Sequence, residues 1–319
     1  MLIALGAISG GLWVLAAFLY MILLSAVLDL AINAVLPDGT DAEFPGETAL
    51  SVALVAAHFG ALVLTLIALS GPMPLAEKAA LFVAMGLFAG QISNSNAHEL
   101  IHKRNRLLHR LGMWVYISLL YGHHTSTHVL IHHVAVATDG DPNSAPKGRS
   151  FYRFVPAAWG RTFRLGYQAE AKRLIRANRP KWRHPYVTYL LGAALCIALA
   201  GVIGNVWWYL ALAAYAQVQL LLSDYIQHYG LRRQINDLGK AEPVANDHSW
   251  NSPHWFSSAM MLNAPRHSDH HVSPMRSFGQ LRQTDGPQWP YPLPVMATIA
   301  LFPPLWRRVM HRQMRALGL

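Results

Sequence analysis

The stretch that decides the fold reads His98-Glu99-Leu100-Ile101-His102-Lys103, and it closes an apolar run that begins near Ala79. Three more stretches share its character. They are His128-Val129-Leu130-Ile131-His132-His133, Asp224-Tyr225-Ile226-Gln227-His228-Tyr229-Gly230 and His267-Ser268-Asp269-His270-His271. All four lie beside long apolar runs. Histidines four residues apart share one face of a helix, so each box can aim two imidazoles at one point. The pattern predicts a polynuclear metal site at the edge of a membrane.

Composition around the boxes supports a membrane setting. Of 319 residues, 53% are hydrophobic and 13% are charged, and the mean hydropathy is +0.24. About a quarter of the residues of a soluble protein are charged. With apolar runs longer than ~18 residues, the chain falls among integral membrane proteins. The net charge of +10 raises nucleic acid as a partner. However, the basic residues cluster in loops beside apolar spans, where lipid headgroups and the positive-inside rule account for them. No nucleic-acid-binding module is present. The single cysteine, Cys196, rules out an internal disulfide, a thiolate zinc site and an iron–sulfur cluster. No glycine-rich dinucleotide fingerprint stands between a strand and a helix. Electrons for any redox chemistry must therefore come from another protein. No basic residue precedes the first apolar run, which is too long for the core of a cleavable signal peptide.

Leu2 to Leu36 predicts one tilted span with an overhang, or a cramped hairpin. The loop from Pro37 to Glu47 carries Asp38, Asp41, Glu43 and Glu47 without Lys or Arg, which suits the non-cytoplasmic side. Ala49–Ser70 and Ala79–Ser93 read as the next two spans. Lys103, Arg104, Arg106 and Arg110 then place the first box on the cytoplasmic side. Leu111–Tyr121 is too short to cross and is expected to dip in or lie at the interface. Lys147 to His184 holds eleven Lys and Arg residues against one acid, Glu170. That segment reads as a helix on anionic headgroups and, around Lys172, Arg173 and Arg176, as a docking surface for an acidic electron carrier. Pro185–Ser223 reads as two spans with a turn at Gly201–Gly204–Asn205, delivering His228 to the other boxes. Tyr291–Trp306 is expected at the interface. The predicted architecture is one all-α domain over residues 1–319. It comprises about five to six transmembrane helices under a cytoplasmic, histidine-rich di-metal cap.

The boxes supply nine imidazoles: His98, His102, His128, His132, His133, His228, His267, His270 and His271. Nine are too many for one ion but suit two with open positions, and neutral imidazole suits iron, copper, zinc or nickel. Glu99, Asp139, Asp141, Asp224 and Asp269 are candidates to orient the rings and offset their charge. His123 and His124 stand either behind the ligands or at the interface. His248 and His254 read as structural or supporting, His58 as a satisfied core histidine, and His109, His184 and His311 as surface residues. The first box also matches the HExxH of zinc proteases, but three further boxes demand partners. A histidine-rich metal transporter would need polar residues along its spans, and these spans are nearly free of charge.

The boxes resemble those of the membrane-bound non-haem di-iron family of fatty-acid desaturases and hydrocarbon hydroxylases. Within it, the chain is most similar to the alkane 1-monooxygenase and xylene monooxygenase hydroxylase branch. The resemblance is carried by His98 to Lys103, by His128 to His133, and by Val136-Ala137-Thr138-Asp139-Gly140-Asp141-Pro142. It continues in His228-Tyr229-Gly230-Leu231, His248-Ser249-Trp250-Asn251-Ser252, Arg266 to His271 with Pro274 and Arg276, and Phe302 to Arg307. It implies two non-haem irons on the nine histidines, with dioxygen as co-substrate. One oxygen atom would enter a C–H bond of a hydrophobic molecule drawn from the bilayer, a terminal alkane methyl or an aryl methyl. It also implies electrons from a rubredoxin or ferredoxin with its NAD(P)H reductase, and a multi-pass place in the inner membrane with a cytoplasmic site. A fatty-acyl or carotenoid desaturase or hydroxylase shares the same metal site. Tyr20 and Trp114 are candidates to limit how far a substrate chain reaches. The chain departs from the resemblance at Thr127 and Gln227, where the hydroxylases carry glutamates, and it looks shorter by an N-terminal span.

Overall fold

The computed structural model describes residues 1–32 and 46–319. Asp38, Asp41 and Glu43 lie outside the described residues. No strand forms among the described residues beyond two isolated bridges, Ile235 with Ala241 and Asn251 with Gln288. Among the described residues, five helices are long and apolar enough to cross a membrane: Leu12–Ala31, Glu47–Ser70, Leu75–His102, Pro185–Ile203 and Val206–His228. A helix is the natural choice for such segments, because lipid offers no partner to an unpaired backbone group. The chain divides into two compact units.

The first unit comprises Met1–Val27, Pro45–Thr125 and Glu170–Leu220. Its amino-terminal apolar run is a hairpin arm followed by a span. Leu2–Ser9 turns at Gly10 and Gly11, both at positive φ, into Leu12–Leu19. Glu77 accepts the Gly11 N–H at 2.8 Å and fixes that turn. At the other end of the span that Glu77 opens, Lys103 pairs with Glu99 at 2.8 Å and with Glu47 at 3.4 Å. Glu47 therefore lies at the same end as the first histidine box, which corrects the expectation that its loop ends on the opposite side. Acidic residues carry little sidedness information, and this one is drawn to the basic cluster that follows His102. Ser70 accepts the Asn205 N–H at 2.9 Å, so the turn between the fourth and fifth spans meets the end of the second.

Arg106–Ser118, capped by Asn105, has 13 residues and extends ~20 Å, too short to cross, as expected. It lies backbone to backbone on Asn94–His102, since a Cβ at Gly112 would come within 2.7 Å of the Ala97 carbonyl oxygen. His58 is a satisfied core histidine, as the sequence predicts, with ring nitrogens 3.0 Å from Ser93 Oγ and 2.8 Å from Ser118 Oγ.

The second unit comprises Leu28–Phe44, Ser126–Ala169 and Leu221–Leu319. Its core is aromatic: Tyr225 and Tyr229 lie 5.4 and 5.3 Å from the buried Trp306 ring, and Phe154 lies 5.3 Å from Tyr225. Trp306, Met310 and Met314 form the buried stripe of Pro303–Ala316, at the four-residue spacing of an amphipathic helix. Asp29 is buried and accepts the N–H groups of Phe256 and Ser257 at 2.9 and 3.2 Å, capping Trp255–Met260.

Candidate metal centre

The second box is wound as a π-helix over His128–His132 rather than as an α-helix. A π turn brings residues five apart onto one face, so His128 pairs with His133 and not with His132. Nε2 of His133 lies 2.9 Å from Nε2 of His128 and 3.2 Å from Nε2 of His270. His132 turns to a different group. With His228, His267 and His271 it offers four buried ring nitrogens, all within 4.8 Å of one another. There, Nε2 of His267 lies 3.0 Å from Nε2 of His228 and 3.1 Å from Nε2 of His271.

The last box is split in the same way. His267 and His271, four apart on His267–Val272, face His132 and His228, while His270 faces His128 and His133. In the first unit His98 and His102 share a helix face, with ring centroids 5.2 Å apart. His98 and His102 thus aim together, as their four-residue spacing predicts, whereas the second box pairs His128 with His133, five apart, and the second and last boxes each serve two points.

The donor set passes a chemical test for a cation. Nitrogens bound to one ion at ~2.1 Å lie about 3 to 4 Å apart, the separation seen between these rings. Several bare imidazole nitrogens facing one another cannot all be satisfied by the protons they carry, whereas one ion satisfies all of them. His132 supplies the clearest case. Its Nδ1 lies 2.9 Å from Asp141 Oδ2, and its buried Nε2 has no hydrogen-bond partner. Burial disfavours the charged ring, but the Asp141 carboxylate outweighs this and holds the His132 pKa above its usual value. Burial likewise pushes the Asp141 carboxyl up, and His132 and Ser144 more than reverse it. Burial, and then the surrounding imidazoles, hold His271 well below the usual histidine range, in the neutral form that ligates.

The other acids serve different ends. Asp269 accepts from Arg276, and from the Arg282 N–H at 2.9 Å, steadying the helix that carries the last box. Asp224 is buried one turn before His228, whereas Glu99 pairs with Lys103. Asp139 is turned out to solvent, 3.7 Å from Arg232, and is not among the rings. His123 and His124 are buried and packed on tyrosines: His123 lies 4.4 Å from Tyr121, and His124 lies 4.8 Å from Tyr116. His184, expected on the surface, is buried and caps Pro185–Ile203 by accepting the Tyr186 N–H at 3.2 Å. His248 lies 3.2 Å from Glu242 and His254 2.9 Å from Ser252, both structural contacts. Sequence reasoning missed Asn251 as a positioning residue. Its Oδ1 accepts the Ser268 N–H at 2.9 Å and its Nδ2 donates to Ser268 Oγ at 2.7 Å, which fixes the start of the last box. The available signal was its place within His248-Ser249-Trp250-Asn251-Ser252.

Comparison with known proteins accounts for this arrangement. The fatty acid desaturase family model matches residues 73–299, a range that contains all nine histidines. The chain belongs to the fatty acid desaturase family. Its similarities place it on the alkane and xylene monooxygenase branch. Alkane 1-monooxygenase 2 of Pseudomonas aeruginosa is 35% identical over 73% of this chain and 64% of its own length. Alkane 1-monooxygenase 1 of the same organism is 35% identical over 73% of this chain and 63% of its own. The xylene/toluene monooxygenase hydroxylase component of Pseudomonas putida is 26% identical over 75% of this chain and 64% of its own. The chain thus spans a little under two thirds of the length of these relatives.

In this desaturase-family chain, the two positions that depart from the hydroxylase pattern each make a side-chain hydrogen bond, Thr127 to backbone and Gln227 to a neighbouring side chain. Thr127 donates to the Thr162 carbonyl at 2.9 Å, and Gln227 Oε1 accepts from Ser223 Oγ at 3.0 Å. The Gln227 carbonyl also accepts the Trp250 N–H at 2.8 Å. Tyr20 lines an apolar cleft of about 500 Å³ in the first unit, with Met21, Leu54, Leu64, Phe88 and Ile92. Trp114 is half-buried and packs toward Gly192, where a Cβ would come within 3.1 Å of its ring.

Proposed function

We propose that this chain is the hydroxylase of a membrane-bound di-iron hydrocarbon monooxygenase. The observation that carries the proposal is the buried four-imidazole group, with His132 oriented by Asp141. It stands in a chain 35% identical to alkane 1-monooxygenases. His132, His228, His267 and His271 hold one iron. His128, His133 and His270 hold the other, and His98 and His102 of the first unit are the further candidate ligands that the family resemblance implies. The bound irons supply reduction of dioxygen and oxidation of a terminal alkane methyl or an aryl methyl.

The protein's own part is positioning and exclusion of water. Asp141 keeps a proton on His132 Nδ1, leaving the Nε2 lone pair directed inward. Burial of His228, His267, His270 and His271 keeps bulk water from the rings. Charged groups are scarce along the spans, so an apolar substrate meets little competition from water. The cleft at Tyr20, whose volume falls in the range of small-molecule sites, receives the substrate from the bilayer. Lys103, Arg104, Arg106 and Arg110 follow the first box closely, which supports an inner-membrane protein with its site on the cytoplasmic side. There a rubredoxin or ferredoxin, served by an NAD(P)H reductase, delivers electrons, for this chain offers no dinucleotide or iron–sulfur motif of its own.

The deciding experiment is metal analysis of the purified chain together with product mapping on octane, xylene and a fatty acid. Two irons per chain and a primary or benzylic alcohol are expected. An unsaturated fatty acid as product would move the protein to the desaturase side of its family. Turnover with no bound transition metal would reject the site.

A further inference from the structure

A second cavity, of about 510 Å³, lies in the second unit and contains no histidine. It is lined by Arg149, Arg153 and Arg307 with Gly148, Ser150 and Pro303. The three arginines are exposed and make no ion pair among the described residues. Like charges converge here although no acid among the described residues pairs with them. The walls are nevertheless anchored. Tyr229 Oη accepts the Gly148 N–H at 2.8 Å, and Tyr225 Oη donates to the Arg149 carbonyl at 2.7 Å. The backbone bearing the arginines is thus tied to the buried aromatic core. Ser150 leads into the 26-residue helix Phe151–Arg176, whose first N–H groups add positive potential to the cavity. Beside it, His311 is held below the usual histidine range by burial and then by Lys147, Arg315 and Arg307.

Two observations choose the occupant. Tyr225, which anchors Arg149, lies in the last turn of the span Val206–His228, so the cavity sits where a membrane helix leaves the hydrocarbon. Phe302, Leu305 and Tyr152 are exposed around it, with Phe302 at 59%. Apolar side chains around a cationic hollow, at the end of a span, match an acyl chain beneath a phosphate.

We propose that Arg149, Arg153 and Arg307 form a binding site for the phosphate headgroup of an anionic phospholipid, separate from the histidine site. The arginine fork suits phosphate oxygens in paired hydrogen bonds. Headgroup binding there secures the carboxyl-terminal helix Pro303–Ala316 and the start of Phe151–Arg176 at the bilayer surface.

The test uses the full chain in detergent, with dioleoyl phosphatidylglycerol, dioleoyl phosphatidylcholine or inorganic phosphate added. Retained lipid is counted by native mass spectrometry, and melting temperature is followed in parallel. The wild type is expected to retain phosphatidylglycerol in preference to phosphatidylcholine. Each of Arg149→Gln, Arg153→Gln and Arg307→Gln should lower that preference about fivefold, as expected for one cation near a lipid surface. The exposed control Arg164→Gln should leave it unchanged. Each single variant stands as a test, so failure of one to fold does not remove the measurement. Equal retention of the two lipids, or unchanged retention in all three variants, overturns the proposal. So does full displacement of phosphatidylglycerol by millimolar phosphate, which marks a free-anion site. Slower reduction by an acidic electron carrier in these variants, with lipid retention unchanged, assigns the surface to a protein instead.

Discussion

Nδ1 of His132 lies 2.9 Å from Oδ2 of Asp141, and both side chains are completely buried. The carboxylate is itself held in place, since Ser144 Oγ donates to Oδ2 at 2.6 Å and the Asn143 N–H donates to Oδ1 at 3.1 Å. The loop after the second box therefore exists to present one acid to one ring. An acid so placed fixes the ring's tautomer and offsets part of the charge of an ion on its far side.

Asp141→Asn keeps the shape and one possible acceptor but removes the charge. The expected outcome is a 10- to 100-fold loss of iron affinity, the usual order for such partners. Chelator titration of the purified variant measures it, and circular dichroism should show the same helix content. Unchanged affinity would remove Asp141 from the centre.

His132 and His133 are neighbours in sequence yet face different groups. If each group holds its own iron, His132→Ala and His133→Ala each lower the content from two irons to about one, while His132→Ala with His133→Ala removes both. Elemental analysis per chain reads the result. Loss of both irons in either single variant would mean that one cluster cannot form without the other.

Much of this was legible from residue type and spacing. The spans follow from apolar length, and the gathering of imidazoles follows from the histidine boxes. The allocation of rings was not legible, because His128 and His132 read as one helical face until a π turn shifts the pairing to His133. Nor was the sidedness of Glu47, whose position is set by Lys103, 56 residues away. Asp141 stood among five acids of equal standing in the sequence. Only the fold distinguishes it from Asp139, two residues earlier and open to solvent. His184 was misread because a polar residue in a basic segment looks exposed, whereas its ring caps the next span.

Gly112 permits the closest approach of the two helices that surround the first box. Gly112→Val places a methine carbon against the Ala97 carbonyl and forces Arg106–Ser118 away from Asn94–His102. A destabilisation of about 1–3 kcal/mol is expected, as for other overpacked sites. It should appear as a lower melting temperature in detergent, with iron content falling because Asn94–His102, which carries His98 and His102, loses the helix packed against it.

Tyr20 narrows the apolar cleft of the first unit. Tyr20→Ala should lengthen the longest alkane accepted while leaving the iron content at its wild-type value. Product profiles across a series of chain lengths test this. An unchanged profile would mean that the substrate takes another path.

Arg173 and Arg176 close the helix Phe151–Arg176, and both are exposed. Arg173 lies 3.2 Å from the buried Glu170, but its own guanidinium is exposed and so remains available to a partner. Reversing both, with Arg173→Glu and Arg176→Glu, should slow reduction by an acidic carrier about tenfold at low salt, through loss of electrostatic steering. Substrate binding, governed by apolar contacts elsewhere, should be unaffected. Raising the ionic strength should bring the wild-type and variant rates together, since screening removes the attraction that the substitutions abolish. Stopped-flow reduction at two salt concentrations makes the measurement, and equal rates at low salt would show that the carrier docks on another face.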